Sequence, residues 1–172
     1  MTRKRLSIDD WTAAGLTALI ASGPNALRAE PLARALGTTK GSFYWHFSDV
    51  PAFQDAVLKR WQSAAFAQIV DHLSATGNTE ARLRAFGHAL CADPSEAAIR
   101  AWGLSDAKVA AAVAQVDEER LTHLSRLLSQ MGLSNPAFAL SCYATAVAAP
   151  ETTSATPQMA YDALIDLVLA LK

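Results

Sequence analysis

Apolar residues recur every three or four positions along almost the whole 172-residue chain, which is the spacing of one face of an α-helix. No stretch alternates between apolar and polar residues in the way that predicts a β-strand. Glycine, proline and asparagine interrupt the periodic stretches and mark turns. The sequence therefore predicts an all-α fold, with helices over residues 7–22, 28–36, 38–47, 49–75, 79–91, 96–103, 105–132, 135–149 and 157–171.

The second and third predicted helices are joined in the manner of a helix-turn-helix. Pro31 is tolerated in a helix over residues 28–36 because it lies in the first turn. Gly37 suits the sharp turn that follows, since glycine reaches positive φ without steric cost. Thr38 and Thr39 can cap the next helix by accepting backbone N–H bonds. A short helix, a turn with glycine and a second short helix make up this motif.

The third predicted helix has one anchoring face and several polar ones. Phe43 and Phe47 lie four residues apart, so they share the face that packs on a core. The other positions offer a cation, a glycine that permits close backbone approach, and polar groups that reach bases or phosphates, as a helix in a DNA groove requires. By spacing alone, a two-helix corner inside an ordinary helical domain fits equally well. The polar and exposed set is Lys40, Gly41, Ser42, Tyr44, Trp45 and His46.

The run L-A-R-A-L-G-T-T-K-G-S-F-Y-W-H-F at residues 32–47 resembles the DNA-binding domain of the TetR family of bacterial transcription regulators. The resemblance is specific over about residues 7–61 and rests on helix pattern alone beyond them. It implies a helix-turn-helix head at residues 1–48 and a helical effector-binding and dimerisation body at residues 49–172. The candidate DNA-binding residues are Arg5, Arg28, Thr38, Thr39, Lys40, Gly41, Ser42, Tyr44, Trp45 and His46.

Two positions depart from the family pattern. Arg28 and Ala29 stand where the family often has Ser or Thr, so a cation replaces a capping hydroxyl that would touch a phosphate. Val50 stands where the family usually has Lys, which removes one expected phosphate contact. Arg5 belongs to a basic N-terminal arm that fits a minor-groove contact and a solvated terminus equally well.

The charge distribution supports a head that meets phosphate. The net charge of the chain is −1. Residues 1–50 carry six Lys and Arg against four Asp and Glu, which leaves this part at +2 and the rest at −3. A basic head on an acidic body is the asymmetry expected of a protein with one end on DNA.

The body is expected to hold a small-molecule pocket, because the family resemblance implies one and pockets form between helices. Membership of an ordinary core is the stronger interpretation for any single residue of the candidate set. Because charged residues make up only 18% of the chain, we expect an apolar or aromatic effector. The candidate lining residues are Trp61, Phe66, Phe86, Trp102 and Met131.

The last two predicted helices are candidates for a homodimer interface. Within residues 158–172 the only charged interior positions are Asp162 and Asp166, and every other face is apolar. A helix that is apolar on most sides needs neighbours on most sides, and two helices from each of two chains would supply them. The alternative is packing on the long body helix within one chain. The candidate interface residues are Leu140, Tyr143, Val147, Tyr161, Leu164, Ile165 and Val168.

Other chemistry has little support in the sequence. The histidines of the body are scattered without metal-ligand spacing, so we expect no metal, no cofactor and no catalytic residue. The run Asp117–Glu119 is expected to be a solvated face closed by Arg120. Cys91 and Cys142 are expected to be free thiols. No secretory signal and no stretch long enough to span a bilayer is found, which favours a cytoplasmic protein.

The sequence thus favours a homodimeric transcription regulator, a repressor that a small-molecule effector releases from a palindromic DNA operator. The alternative is a helical ligand-binding or scaffold protein that has kept the head but no longer binds DNA. Val50, the near-neutral net charge and the missing cap at Arg28 favour this alternative.

Overall fold

The computed structural model describes residues 6–148 and 154–170, and within these ranges the chain is all-helical. The predicted all-α fold is confirmed, and the helix boundaries agree with the sequence pattern to within a few residues. The elements are α1 (Ile8–Ser22), a 3₁₀ turn (Pro24–Ala26), α2 (Ala29–Ala35), α3 (Lys40–Tyr44), α4 (Val50–Ser74), α5 (Thr79–Cys91), α6 (Ser95–Gly103), α7 (Ala107–Gln130), α8 (Pro136–Ala148) and α9 (Pro157–Ala170).

Local capping sets several of these boundaries. At α1 the Ser7 hydroxyl accepts from the backbone N–H of Asp10 at 3.1 Å, and the Asp10 carboxylate accepts from the backbone N–H of Ser7 at 2.7 Å. This is the capping box that the sequence predicts. Asp49 caps α4 through a 2.7 Å bond from Ala52 N–H. Such caps satisfy backbone donors that have no partner within the helix.

The chain forms two compact units. Unit 1 comprises Met1–Ala64 and Ala97–Val113, and unit 2 comprises Ala65–Glu96 and Ala114–Lys172. Each unit therefore combines two separate stretches of sequence. One boundary between the units, after residue 64, lies within α4. The expected division between residues 48 and 49 into two functional domains stays a prediction.

Unit 1 has an aromatic core that holds the helix-turn-helix. The Phe43 ring lies edge-on to Trp11 of α1, with 5.4 Å between ring centroids, and 5.2 Å from Phe53 of α4. Phe47 packs 5.0 Å from Phe53. Edge-on aromatic pairs are favourable beyond the area they bury. Helices α1 and α4 and the turn after α3 therefore fix the orientation of α3.

Unit 2 is built around the contact of α5 with α8 and α9. Tyr161 of α9 is fully buried, and its hydroxyl donates to the Leu83 carbonyl of α5 at 3.0 Å. The Tyr161 ring lies so close to Gly87 that a Cβ on that residue would come within 2.0 Å of it. The absence of a side chain at Gly87 is therefore what lets α9 approach α5.

A buried polar network in unit 2 corrects one expectation. Arg120 is buried rather than solvated, and it bonds the Glu96 carboxylate of α6 at 2.6 Å. The Tyr143 hydroxyl of α8 donates to Asp117 at 2.6 Å. Only Glu118 and Glu119 of the acidic run are exposed. The expected solvated face is wrong for Arg120 because its side chain lies among the apolar residues of α7 and meets a carboxylate from another helix.

Candidate nucleic-acid interface

The turn between α2 and α3 is closed by local hydrogen bonds. Gly37 has a φ of 62°, the left-handed conformation that glycine adopts most readily. The backbone N–H of Thr38 bonds the Ala33 carbonyl at 2.8 Å. Thr39 caps α3 by accepting from Ser42 N–H at 3.3 Å, as its position in the sequence predicts. Arg28 occupies the corresponding position before α2 without a side-chain cap.

The regular part of α3 ends at Tyr44, three residues before the predicted end. The backbone nevertheless continues to turn, because the N–H of Phe47 bonds the Phe43 carbonyl at 3.0 Å. Phe43 and Phe47 are both buried, with 5.2 Å between their ring centroids. The predicted anchoring pair is confirmed.

The residues between and before these anchors form an open surface. Trp45 is 77% exposed and Tyr44 is 47% exposed, which is unusual for large aromatic side chains. Lys40 and Gly41 are exposed, and Ser42 and His46 are half-buried. The structure therefore brings the predicted recognition residues together on one short segment.

One side of this surface is a concavity of about 520 Å³, lined by Thr39, Gly41, Ser42, Trp45 and His46. A Cβ built on Gly41 would meet nothing closer than the Thr39 hydroxyl oxygen, at 3.7 Å. Gly41 is therefore not required by packing within the chain. Its missing side chain leaves room for another molecule to approach the backbone.

A second open concavity, of about 450 Å³, lies on the side of Tyr44 and is lined by three basic residues, Arg28, Arg34 and Lys40. The Lys40 ammonium lies 5.9 Å from the centroid of the Tyr44 ring. Glu30 offsets part of the charge by pairing with Arg34 at 3.1 Å. The lining residues are Arg28, Ala29, Glu30, Pro31, Arg34, Lys40, Tyr44 and Val50.

Two solved structures share this architecture. A protein from a Rhodococcus species, described as a TetR-family transcriptional regulator, matches with a TM-score of 0.73 over 94% of this chain and 98% of its own, at 18% sequence identity. The chain has the TetR fold. A TetR-family transcriptional regulator from Streptomyces coelicolor matches with a TM-score of 0.70 over 95% of this chain and 89% of its own, at 17% identity.

No protein-family model and no curated protein matches the sequence. The likeness is therefore one of TetR fold, and it covers the body as well as the head. The sequence resemblance is specific only for about residues 7–61. The structural match extends the expected fold to the C-terminal helices.

The predicted effector-pocket residues are divided between the two units. Trp61 and Trp102 are buried in unit 1. Phe86 and Met131 are buried in the core of unit 2, and Phe66 packs against that core. A pocket formed by all five stays a prediction.

The predicted interface residues fall into two groups. Leu140 is 58% exposed, and Val147 and Leu164 are half-buried. The other four are already buried within the chain, and a dimer interface formed by the whole predicted set stays a prediction. They pack in unit 2 because α5 supplies the neighbours that a terminal helix was expected to lack. These four are Tyr143, Tyr161, Ile165 and Val168.

The polar stripe on α9 is matched by α5. Arg84 bonds Asp162 at 3.2 Å and Asp166 at 2.5 Å. His88 lies 2.9 Å from Asp162. The four-residue spacing of the two aspartates is therefore explained by a basic pair at the same spacing on α5.

Neither a metal-binding cluster nor a membrane-spanning helix is found among the described residues, 6–148 and 154–170. No group of three metal-ligating side chains converges there. No helix there has the length and apolar character needed to cross a membrane. Cys142 is a free buried thiol, and burial raises its pKa to about 11. Arg5 lies outside the described residues.

The sequence interpretation did not predict that Arg120 and His123 are buried, although the sequence contained a signal for it. Both lie on the apolar stripe of α7, Arg120 midway between Val116 and Leu124 and His123 beside Leu124. A polar residue at a core position of a helix is informative because it needs a partner when buried.

Proposed function

We propose that this chain is a DNA-binding transcription regulator that acts as a homodimer. The observation that carries the proposal is the exposed segment Lys40–His46 held on the buried Phe43–Phe47 anchor. Trp45 and Tyr44 are 77% and 47% exposed beside Lys40 on a helix-turn-helix. Aromatic surface in water beside a cation at this place suits contact with a duplex.

The side chains offer both kinds of DNA contact. Lys40 and Arg28 supply cations for phosphate oxygens, and Tyr44 adds a hydroxyl donor. Ser42 and His46 line the concavity in front of Gly41, where the duplex backbone or a base edge would approach. Trp45 supplies apolar surface for a thymine methyl or a sugar. Arg28 takes the place of the hydroxyl that is absent from the start of α2.

The homodimer is supported by the exposed apolar surface of the last two helices. Leu140, Met159 and Leu167 are 58%, 57% and 61% exposed, and they alternate with exposed alanines on α8 and α9. Monomeric proteins rarely leave large contiguous apolar patches in water. Two copies related by a two-fold axis would bury this surface and present two heads to a palindromic operator.

We further propose that the regulator is a repressor which a small molecule releases from DNA. Such a ligand would bind unit 2 and act only through its different affinity for the DNA-bound and free conformations. Helix α4 provides covalent continuity, because it starts directly after the recognition segment and contributes residues to both units.

The proposal is tested by a gel-shift titration on DNA that flanks the protein's own gene, together with a selection from random duplexes. Wild-type protein is expected to bind with a steep salt dependence. Lys40→Ala should weaken binding and lower the log–log salt slope by roughly 0.9, the value for one phosphate contact. Lys59→Ala removes the same charge from an exposed position of α4 and serves as the control.

Two outcomes would contradict the proposal. No duplex is enriched over competitor DNA if the chain is a ligand-binding or scaffold protein that does not bind DNA. Equal operator affinity of wild type, Lys40→Ala and Tyr44→Ala would mean that another surface contacts the duplex. Circular dichroism of each variant verifies that the helical content is unchanged.

A further inference from the structure

His123 of α7 is a buried imidazole without a hydrogen-bond partner. It is 2% exposed, and neither Nδ1 nor Nε2 has a partner among the described residues. Buried polar groups in proteins are nearly always hydrogen-bonded, because an unpaired one loses its bonds to water without replacement. An imidazole with both nitrogens unpaired in the core of unit 2 therefore points to a ligand.

The rings of His123, Phe86 and His72 form a cluster of edge-on contacts in unit 2. The Phe86 ring of α5 lies 4.7 Å from the His123 ring at an angle of 69°. The Phe86 ring also contacts His72 of α4, with 5.1 Å between the ring centroids and an angle of 83° between the ring planes. An N–H directed at an aromatic face is only a weak hydrogen bond, so these ring contacts do not replace a hydrogen-bond partner for the imidazole.

The groups near His123 are donors and cations. Arg82 of α5 donates to the His72 carbonyl at 3.3 Å, but its Nε is buried without a partner. Burial is the main reason that the pKa of His123 falls to about 4, and His72, Arg82 and Arg126 lower it further. Asp71 is the acidic neighbour that acts on the pKa of His72 in the opposite direction. The cluster therefore contains two unpaired donors, the Nε–H of Arg82 and the N–H of the neutral His123 imidazole, beside one guanidinium cation.

We propose that His123, Arg82 and His72 bind the carboxylate of an aromatic small molecule, whose ring packs against Phe86. A carboxylate accepts from several donors at once and neutralises the guanidinium, which matches the two unpaired donors and the cation of the cluster. An apolar ligand would leave the donors unpaired. A metal ion would find two imidazoles and no third ligand within the described residues.

A carboxylate ligand at His123 adds an anionic group to the expected apolar or aromatic effector. The further statement that this carboxylate is the regulatory effector rests on the proposed function. The binding itself does not depend on DNA, so the two can be tested separately.

The test is isothermal titration calorimetry of the full chain with benzoate, phenylacetate and salicylate, each compared with a neutral partner such as benzamide. At least one carboxylate is expected to bind ten times or more tighter than its amide. Arg82→Met, which removes the guanidinium but keeps an unbranched side chain, should reduce that affinity at least tenfold. Lys59→Met, which removes a cation from an exposed position of α4, should bind like wild type.

A second measurement covers the case in which a substitution disturbs folding. Nitrogen-15 spectra of the wild-type histidine rings report directly on His123, and the binding carboxylate should shift its ring resonances in a saturable way. The proposal fails if none of the three carboxylates binds, or if the binding one leaves His123 unshifted. Operator binding without carboxylate binding rejects this inference alone, whereas carboxylate binding without operator binding rejects the proposed function alone.

Discussion

Two residues of α7 show how differently a core position can accommodate a polar side chain. Arg120 is buried and paired with Glu96, so its charge is balanced by a carboxylate at 2.6 Å. His123 is buried, and neither ring nitrogen is hydrogen-bonded to any residue that the structure describes. Its lowered pKa keeps it neutral at neutral pH. Removing one member of a buried ion pair leaves an uncompensated charge. A neutral imidazole carries no such charge at neutral pH, but it makes stability depend on pH.

The pH dependence follows from the lowered pKa of His123. The folded-state pKa is about 4, below the ordinary value of 6.5 that applies to the unfolded chain, so the unfolded state binds more protons between these values. The free energy of unfolding should be highest above pH 6.5 and fall as the pH drops towards 4. A shift of this size is worth at most roughly 3 kcal/mol.

Urea unfolding of wild type and His123→Phe between pH 7.5 and 4 measures this effect. Wild type is expected to lose more stability than the variant over the range, and the difference between the two curves isolates His123 from the carboxylates. Parallel curves would show that His123 titrates normally in the folded protein.

Among the elements, the contact of α5 with α9 depends on one glycine. Gly87 faces the Tyr161 ring, whose position is fixed by the hydrogen bond to Leu83 and by burial. Arg84 and His88 flank this contact and pair with the two aspartates of α9. Apolar packing thus brings the helices together, and the polar contacts of Arg84 and His88 with Asp162 and Asp166 lie beside this packing.

Gly87→Ala should destabilise the protein by about 1–3 kcal/mol, because the new methyl group overlaps a buried ring. This loss opposes the gain of up to about 1 kcal/mol that alanine gives over glycine in a helix. Gly41→Ala is the matched control, since its Cβ meets only ordinary van der Waals contact. Thermal unfolding of both variants compares the effects.

The control variant should be as stable as wild type or slightly more stable. If Gly87→Ala were equally well tolerated, α9 would have to shift away from α5 at little cost. The close approach of Tyr161 would then not be a constraint on the fold.

At the scale of the molecule, helices α8 and α9 have apolar residues both in the core and on the surface. The core residues of α9 pack on α5 and α8, while Leu140, Met159 and Leu167 remain in water. The α8 and α9 surfaces therefore contribute to two different contacts: an inner one within the chain and an outer one that we assign to a second copy.

Leu140→Glu combined with Leu167→Glu should convert the proposed dimer into monomers at micromolar concentration. A dimer would have to bury the new carboxylates of both copies, each at a cost of several kcal/mol without a partner. Analytical ultracentrifugation measures the change, and operator affinity should fall with it. Leu104→Glu, at a leucine that is 91% exposed in unit 1, is the control and should remain dimeric.

Sedimentation of the wild-type protein as a monomer at micromolar concentration would contradict the interface. The substitutions avoid Val168, because a charge at that buried position would disrupt the core of unit 2 and give the same result for a different reason.

Spacing along the chain was enough to predict the helices, several of their caps and the exposed positions of α3. The capping pair of Ser7 and Asp10 and the anchoring pair of Phe43 and Phe47 involve residues three or four positions apart. Such interactions follow from helix geometry, so they can be inferred from the sequence. The same geometry places Lys40 on a face of α3 away from the anchoring pair, where it is exposed.

Which buried groups meet, in contrast, depends on the tertiary structure. Arg120 and Glu96 are 24 residues apart in sequence, and Tyr161 and Leu83 are 78 apart. Their meeting depends on the path of the whole chain, since residues on several helices of similar apolar pattern could have supplied the partner. His123 is the opposite example, since neither of its ring nitrogens has a hydrogen-bond partner among the described residues. That absence can be recognised only once the neighbouring helices are in place.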